Sequence, residues 1–212
     1  MKRILVLGAG GQIARQAIKM LADRDDVAMT LFLRNASKLD GPAPTNARTI
    51  EADVVDAAKL REALVNQDIV YANLAGDVDV QAAAIVAAMK DVGVLKLIFV
   101  TSLGIYDEVP GKFGEWNRNE IGSYLPPYRR AADLIEASGL DYAILRPAWL
   151  TDDDEVDYET TRSDEPFKGT EVSRKSVAAL IVELIGVRGD FDGRRNLGVN
   201  KPNTDGDRPA FL

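Results

Sequence analysis

"LVLGAGGQIARQ", residues 5–16, is the stretch from which the rest of the chain can be read. An apolar run stops at Gly8, three glycines fall within four residues, and a helix-period pattern begins at once. Ile13, Ala14, Ala17, Ile18 and Leu21 share one face of that helix. The opening turn of a helix carries backbone N–H groups with no intrahelical partner, so a strand that turns into a helix through glycines offers donors to an anion. Gly8 suits the tight turn, and Gly10 and Gly11 let a pyrophosphate approach the main chain ahead of Gln12 and Ile13. The spacing is Gly8-x-x-Gly11-x-x-Ala14. Alanine replaces the last expected glycine, and a methyl is tolerable there against the strand.

Downstream, short apolar runs alternate with helix-period segments. The strands expected are 27–33, 47–53, 68–76, 95–102 and 141–147, and the helices are 11–22, 55–64, 80–93, 127–139 and 173–186. This alternation predicts an α/β fold with a doubly wound parallel sheet and helices on both faces, in one domain spanning 1–212. Two stretches, 106–124 and 151–170, read as long loops that form a small region capping the substrate.

Composition excludes much. The chain has 212 residues, a formal charge of −7, no cysteine and no histidine. Thiol nucleophiles, thiolate metal sites and every histidine-based triad are therefore out, and a broad basic surface for nucleic acid is absent. No stretch is long and apolar enough for a membrane span, and "MKRILVLG" is too short for a secretory leader. A cytoplasmic protein is expected, monomeric or homodimeric, whose partner is a small-molecule acceptor.

The end of the second strand reads the cofactor. An acidic residue there would bind the ribose 2′-OH of NAD, whereas an arginine accommodates the 2′-phosphate of NADP. "LFLRNASK" ends on Arg34 with Lys38 one turn on, and no carboxylate occurs before Asp40. NADP(H) is preferred on this reading, with NAD(H) possible. Asp53, Asn73 and Ser102 stand at strand ends on the ligand side. For Asp53 a helix N-cap is the competing reading, and for Ser102 a turn hydroxyl.

With "GAGGQIA", "LFLRN", "EADVVD", "ANLAG", "VTSLGIY", "SGLDYAILRPAWLTD" and "EVSRKSVAALI" in this order, the chain resembles the atypical short-chain dehydrogenase/reductases. The likeness is to their NmrA-like group, with its flavin and biliverdin reductase-like members, and it covers nearly the whole chain. The resemblance implies a Rossmann-type fold in which Asp53 and Val54 flank the adenine. It places Leu74, Ala75 and Gly76 beside the ribose and pyrophosphate, with Thr101 and Ser102 facing the nicotinamide. Pro147 would border that ring, and residues 151–170 would cap the acceptor.

Standard members of that superfamily protonate the substrate with a tyrosine helped by a lysine four residues later. No Tyr-x-x-x-Lys exists here; "YLPPYRRAAD" carries Arg129 and Arg130 near the lysine position. Arginine supplies positive field but does not shuttle protons. Tyr128 and Tyr106, with Ser102, are the candidate catalytic residues. A conjugated acceptor that is stable once reduced needs no side-chain acid, because the cofactor carries the chemistry. Three readings follow: an NADPH-dependent oxidoreductase acting on a flavin, quinone or similar ring; a non-catalytic NADP(H)-binding regulator; and a nucleotide-sugar epimerase or dehydratase. Phe113, Trp116 and Trp149 could wall an aromatic pocket, and "TDDDEVD" reads as a solvated acidic flap rather than a metal loop.

Overall fold

The structure, a computed structural model, describes residues 1–39, 41–186 and 193–212; Asp40 lies outside the described residues. The elements run β1 (Lys2–Leu7), α1 (Gln12–Leu21), β2 (Val27–Leu33), β3 (Ala47–Glu51), α2 (Ala57–Leu64) and β4 (Ile69–Ala72). They continue α3 (Val78–Val92), β5 (Lys96–Val100), α4 (Gly111–Ile121), α5 (Leu125–Glu136), β6 (Asp141–Pro147) and β7 (Trp149–Thr151). Last come β8 (Glu159–Arg162), β9 (Glu171–Ser173), α6 (Arg174–Ile185) and β10 (Arg194–Asn200).

Among the described residues eight strands form one sheet in the order β3-β2-β1-β4-β5-β6-β10-β8, parallel except for β8, while β7 and β9 make a small parallel pair. The chain reverses direction across the sheet between β1 and β4, and a ligand crevice opens there at the carboxyl ends of the strands. Both faces are covered because each central strand is apolar on both. Ile4 and Val6 of β1 enter the core under α1 and α6, while Leu5 and Leu7 enter the core under α2, α3 and α5. All four are essentially inaccessible to solvent, as two-sided burial of a parallel sheet requires.

Local chemistry sets the helix ends. Asp56 caps α2 by accepting from the backbone N–H of Ala58 and Lys59, and Ser173 caps α6 through Ser176. Gly93 closes α3 in the left-handed conformation (φ +83°). The C-terminus of α6 receives the Lys2 ammonium, which donates to the carbonyls of Ile185 (2.8 Å) and Gly186 (2.5 Å). A cation suits that negative end of the helix dipole.

Two stretches expected to be loops are ordered elements. Residues 106–124 contain α4, which sequence periodicity conceals because it starts at Gly111, carries Gly114 and has no side-chain cap. Residues 151–170 contain β8, a charged strand that pairs antiparallel with β10, itself unread in the sequence. The acidic segment is exposed, with the Asp152 and Asp154 side chains 79% and 91% accessible, and several of its acids also form ion pairs. Asp152 pairs with Arg174 (2.9 Å), Asp154 with Lys175 (2.6 Å) and Glu155 with Lys201 (2.7 Å). These acids neutralise two cations in the first turn of α6, where the helix dipole disfavours positive charge. Among the described residues no helix is long and apolar enough to cross a membrane.

Candidate cofactor cleft and acceptor face

A cleft of about 230 Å³ opens over the β1–α1 turn and the ends of β2, β3 and β4. Its floor is Gly8, Gly10 and Gly11. Gly8 has φ +76°, and a Cβ on it would lie 2.2 Å from the carbonyl oxygen of Asn73; one on Gly11 would lie 2.1 Å from Asn73 Nδ2. Glycine is therefore imposed by the close passage of residue 73 as well as by dihedral angle. Gly11 is the N-cap residue of α1, and no side chain caps that helix, which leaves its amides to the cleft. Gln12 is exposed at this mouth and Ile13 is buried beneath it.

The apolar walls of the cleft are Phe32, Leu33, Ala52, Val54, Leu74 and Ala75. Arg34 and Lys38 line the same cleft, and both are exposed. Arg34 lies 3.9 Å from Asp53, a long pair between side chains 73% and 43% accessible, so the guanidinium is free to take a better anion. Asp53 is not a helix N-cap. Its carboxylate accepts from the Val55 amide (3.2 Å), and Asp56 performs the capping. Gly76, read as part of the cradle, sits just outside the lining, in open space with φ +90°. Sequence reasoning missed Gln81 of α3, which lines the cleft. Its Nε2 donates to the Ala75 carbonyl (3.2 Å), and its Oε1 is buried without a partner. Nothing short of the fold brings residue 81 to this wall. A narrow apolar slot, a glycine floor facing a free helix terminus, two cations at one end and an orphaned acceptor fit a dinucleotide carrying an extra phosphate.

The residues expected to face the nicotinamide and the acceptor lie beyond the ends of β5 and β6. Thr101 is buried with its hydroxyl donated to the Leu145 carbonyl (2.9 Å), so it braces the strands rather than offering a free hydroxyl. Ser102 is half-buried and donates weakly to the Leu103 carbonyl (3.2 Å). Pro147 is buried at the end of β6, and its carbonyl accepts from the Leu103 amide (3.2 Å). Tyr128 packs half-buried against the α2–α3–α5 core, and its hydroxyl has no hydrogen-bond partner among the described residues. Burial alone raises its pKa.

Tyr106, the second proton-donor candidate in the sequence, is not free for that role. Its hydroxyl donates to Glu136 (2.8 Å) and accepts from Asn196 (2.7 Å). Burial first, and then the hydrogen bond and negative charge of Glu136, push its pKa well up. Arg129 and Arg130 do not take the place of the missing lysine either. Arg129 is held by Asp133 (2.8 Å) with its guanidinium 4.6 Å over the Tyr106 ring, and Arg130 by Asp79 of α3 (2.8 Å). The three aromatic residues do meet. Phe113 stacks on Trp116 (6.1 Å), Trp116 meets Trp149 (4.7 Å), and Trp149 Nε1 donates to the buried Asn117 (2.9 Å).

Comparison with known proteins points the same way as the cleft. A family of NAD(P)H-binding proteins matches residues 8–186. A Rossmann-fold NAD(P)-binding family protein from Shigella flexneri is 54% identical, with all of both chains covered and a TM-score of 0.86. A short-chain dehydrogenase/reductase from Veillonella parvula, solved in complex with NADP, is 29% identical over 99% of each chain, with a TM-score of 0.89. Protein YmjC of Escherichia coli is 54% identical over 46 residues, which are 22% of this chain and 77% of YmjC.

Proposed function

The chain belongs to the NAD(P)H-binding family of Rossmann-fold proteins, and from that premise we propose that it is an NADPH-dependent oxidoreductase acting on a small conjugated acceptor. The observation that carries the choice of NADPH is the pairing of Arg34 and Lys38 at the adenosine end of the cleft. The bound cofactor supplies a hydride from its nicotinamide ring. On this reading the amides of Gly10 and of the start of α1 receive the pyrophosphate, while Gly11, whose own N–H is donated to the Gly8 carbonyl (2.9 Å), gives it room. Arg34 leaves its loose contact with Asp53 and, with Lys38, holds the 2′-phosphate in a charge-assisted fork. Val54 and Leu74 hold the adenine between apolar walls. The ends of β5 and β6, with Ser102 and Pro147, orient the reacting ring, while α4 and residues 151–170 keep water away from it.

Arg34→Ala tests the cofactor assignment. Charged hydrogen bonds of this kind contribute about 1.5–3 kcal/mol, so NADPH affinity should fall by about 10- to 100-fold while NADH affinity changes little. A fluorescence titration with both cofactors reads this directly, and retained NADPH affinity would remove Arg34 from the site.

No side-chain acid is assigned to the reaction. A flavin or quinone is stable once reduced, and proton delivery from solvent suffices. Tyr128→Phe should therefore keep turnover within about threefold, whereas general-acid roles are worth about 10²–10⁴-fold. A loss on that larger scale would restore Tyr128 as the proton donor. The engaged state of Arg129, Arg130 and Tyr106 also favours a second reading, an NADP(H)-binding regulator without turnover. Stopped-flow oxidation of bound NADPH against a panel of flavins and quinones separates the two; tight binding with no oxidation would leave the regulator.

A further inference from the structure

Under the acceptor face lies a fully buried charge pair that the reaction described above does not use. Arg146 of β6 is inaccessible to solvent and contacts Glu108, whose side chain is 4% accessible. Few charges are buried this deeply without a partner geometry that holds them. The Glu108 carboxylate also accepts from the backbone amides of Gly104 (3.1 Å) and Tyr106 (2.9 Å). It therefore acts as the centre around which residues 104–108 wind, with Gly104 and Asp107 both at positive φ (+85° and +59°). The Glu108 carbonyl accepts from the amide of Phe167 (2.9 Å), in the segment that follows β8.

Arg146 is fixed in turn. Its Nε donates to Asn196 of β10 (2.8 Å), and Asn196 Nδ2 donates to both Glu136 (2.8 Å) and the Tyr106 hydroxyl. The rings of Tyr106 and Phe167 lie 5.6 and 6.0 Å from the guanidinium, and one of its nitrogens, Nη2, is buried without a hydrogen-bond partner. The aromatic faces provide that nitrogen with its compensating field. One buried cation thus reaches the loop after β5, the segment after β8, helix α5 and strand β10. Neither Glu108 nor Arg146 lines the cofactor cleft.

We propose that Glu108 and Arg146 are positioning residues for the acceptor face: the pair sets the loop that carries Ser102 and, through the Glu108 carbonyl, holds the Phe167 segment against it. The consequence is a division of labour in which cofactor binding is indifferent to the pair and hydride delivery depends on it. Only the turnover part rests on the oxidoreductase reading.

The double variant Glu108→Leu/Arg146→Met removes both charges together, which avoids stranding either in the core. Backbone hydrogen exchange, NADPH affinity and turnover are measured on the full chain. The amides of Gly104, Tyr106 and Phe167 should exchange about tenfold faster together, while those of Gly8 and Met29 keep their rates. NADPH affinity should stay within about twofold and kcat with a flavin or quinone should fall about tenfold or more. Unchanged exchange at the three amides would overturn the proposal. So would a uniform acceleration of all five, because the pair would then serve only the overall stability of the fold. Glu108→Gln/Arg146→Gln is the second variant, which again removes both charges together but keeps polar side chains, and it is expected to show the same localised pattern at about threefold should the apolar double variant not fold. If the wild-type protein oxidises no NADPH, the oxidoreductase reading fails, and exchange and affinity alone decide the role of the pair.

Discussion

Arg146→Met alone is expected to lower folding stability by about 3–5 kcal/mol, the cost of leaving one member of a buried ion pair uncompensated. Glu108 would keep two amide donors but lose the cation against its carboxylate, and Asn196 would lose the Nε donor that orients it. In a domain of this size 1 kcal/mol moves the melting temperature by about 2–4 °C, so calorimetry should find a fall of roughly 6–20 °C. Replacing both members with apolar residues of similar volume often costs little. The double variant should recover most of that loss, which separates the cost of a stranded charge from the value of the pair. A single variant as stable as the wild type would mean that water reaches Glu108, contrary to its burial.

Gly8→Ala should be the most damaging change in the cleft. The added Cβ would stand 2.2 Å from a backbone oxygen, that of Asn73, and φ at residue 8 is +76°. The left-handed conformation alone costs an alanine about 1–2 kcal/mol. Relieving the overlap needs movement of the β4 end by more than an ångström, and that movement takes Asn73 and Leu74 with it. Overpacking of this kind adds about 1–3 kcal/mol, and NADPH affinity should fall by more than about 100-fold because the anion cradle and the adenine wall shift together. Calorimetry with and without NADPH measures both effects. A variant that still gained its full thermal shift from NADPH would show that the glycine floor is not where the pyrophosphate sits.

The cofactor half of the protein was legible because its chemistry is local. A glycine turn, its strand and its helix are adjacent in sequence, and Arg34 follows from one more strand. The half proposed to hold the acceptor was legible only in part. Helix α4 escaped periodicity because two glycines and a missing cap hide it, and β8 reads as a charged loop because an edge strand tolerates charge on its exposed side. Tyr106 and Arg130 looked available because their partners are distant along the chain, whereas Arg129 is held by Asp133 only one helical turn on. Glu136 is 30 residues from Tyr106, and Asp79 is 51 residues from Arg130. Arg146 is the sharpest case. Nothing in "AILRPA" marks it out, and only the fold brings Glu108 from 38 residues upstream to pair with it.

The position of β10 has a consequence for how the molecule is made. It is the final strand of the sheet in the chain, yet it lies inside the sheet between β6 and β8. Synthesis therefore delivers β8 before the strand it pairs with exists. An incomplete chain exposes the β6 edge, an apolar row of unpaired amides and carbonyls that invites pairing with other chains. Asn196 arrives with β10, so the polar centre around Arg146 closes in the same event. Strands β1 to β4, which build the dinucleotide slot, are all in place much earlier. A nascent or stalled molecule should thus complete its nucleotide cleft well before it completes the face proposed for the acceptor.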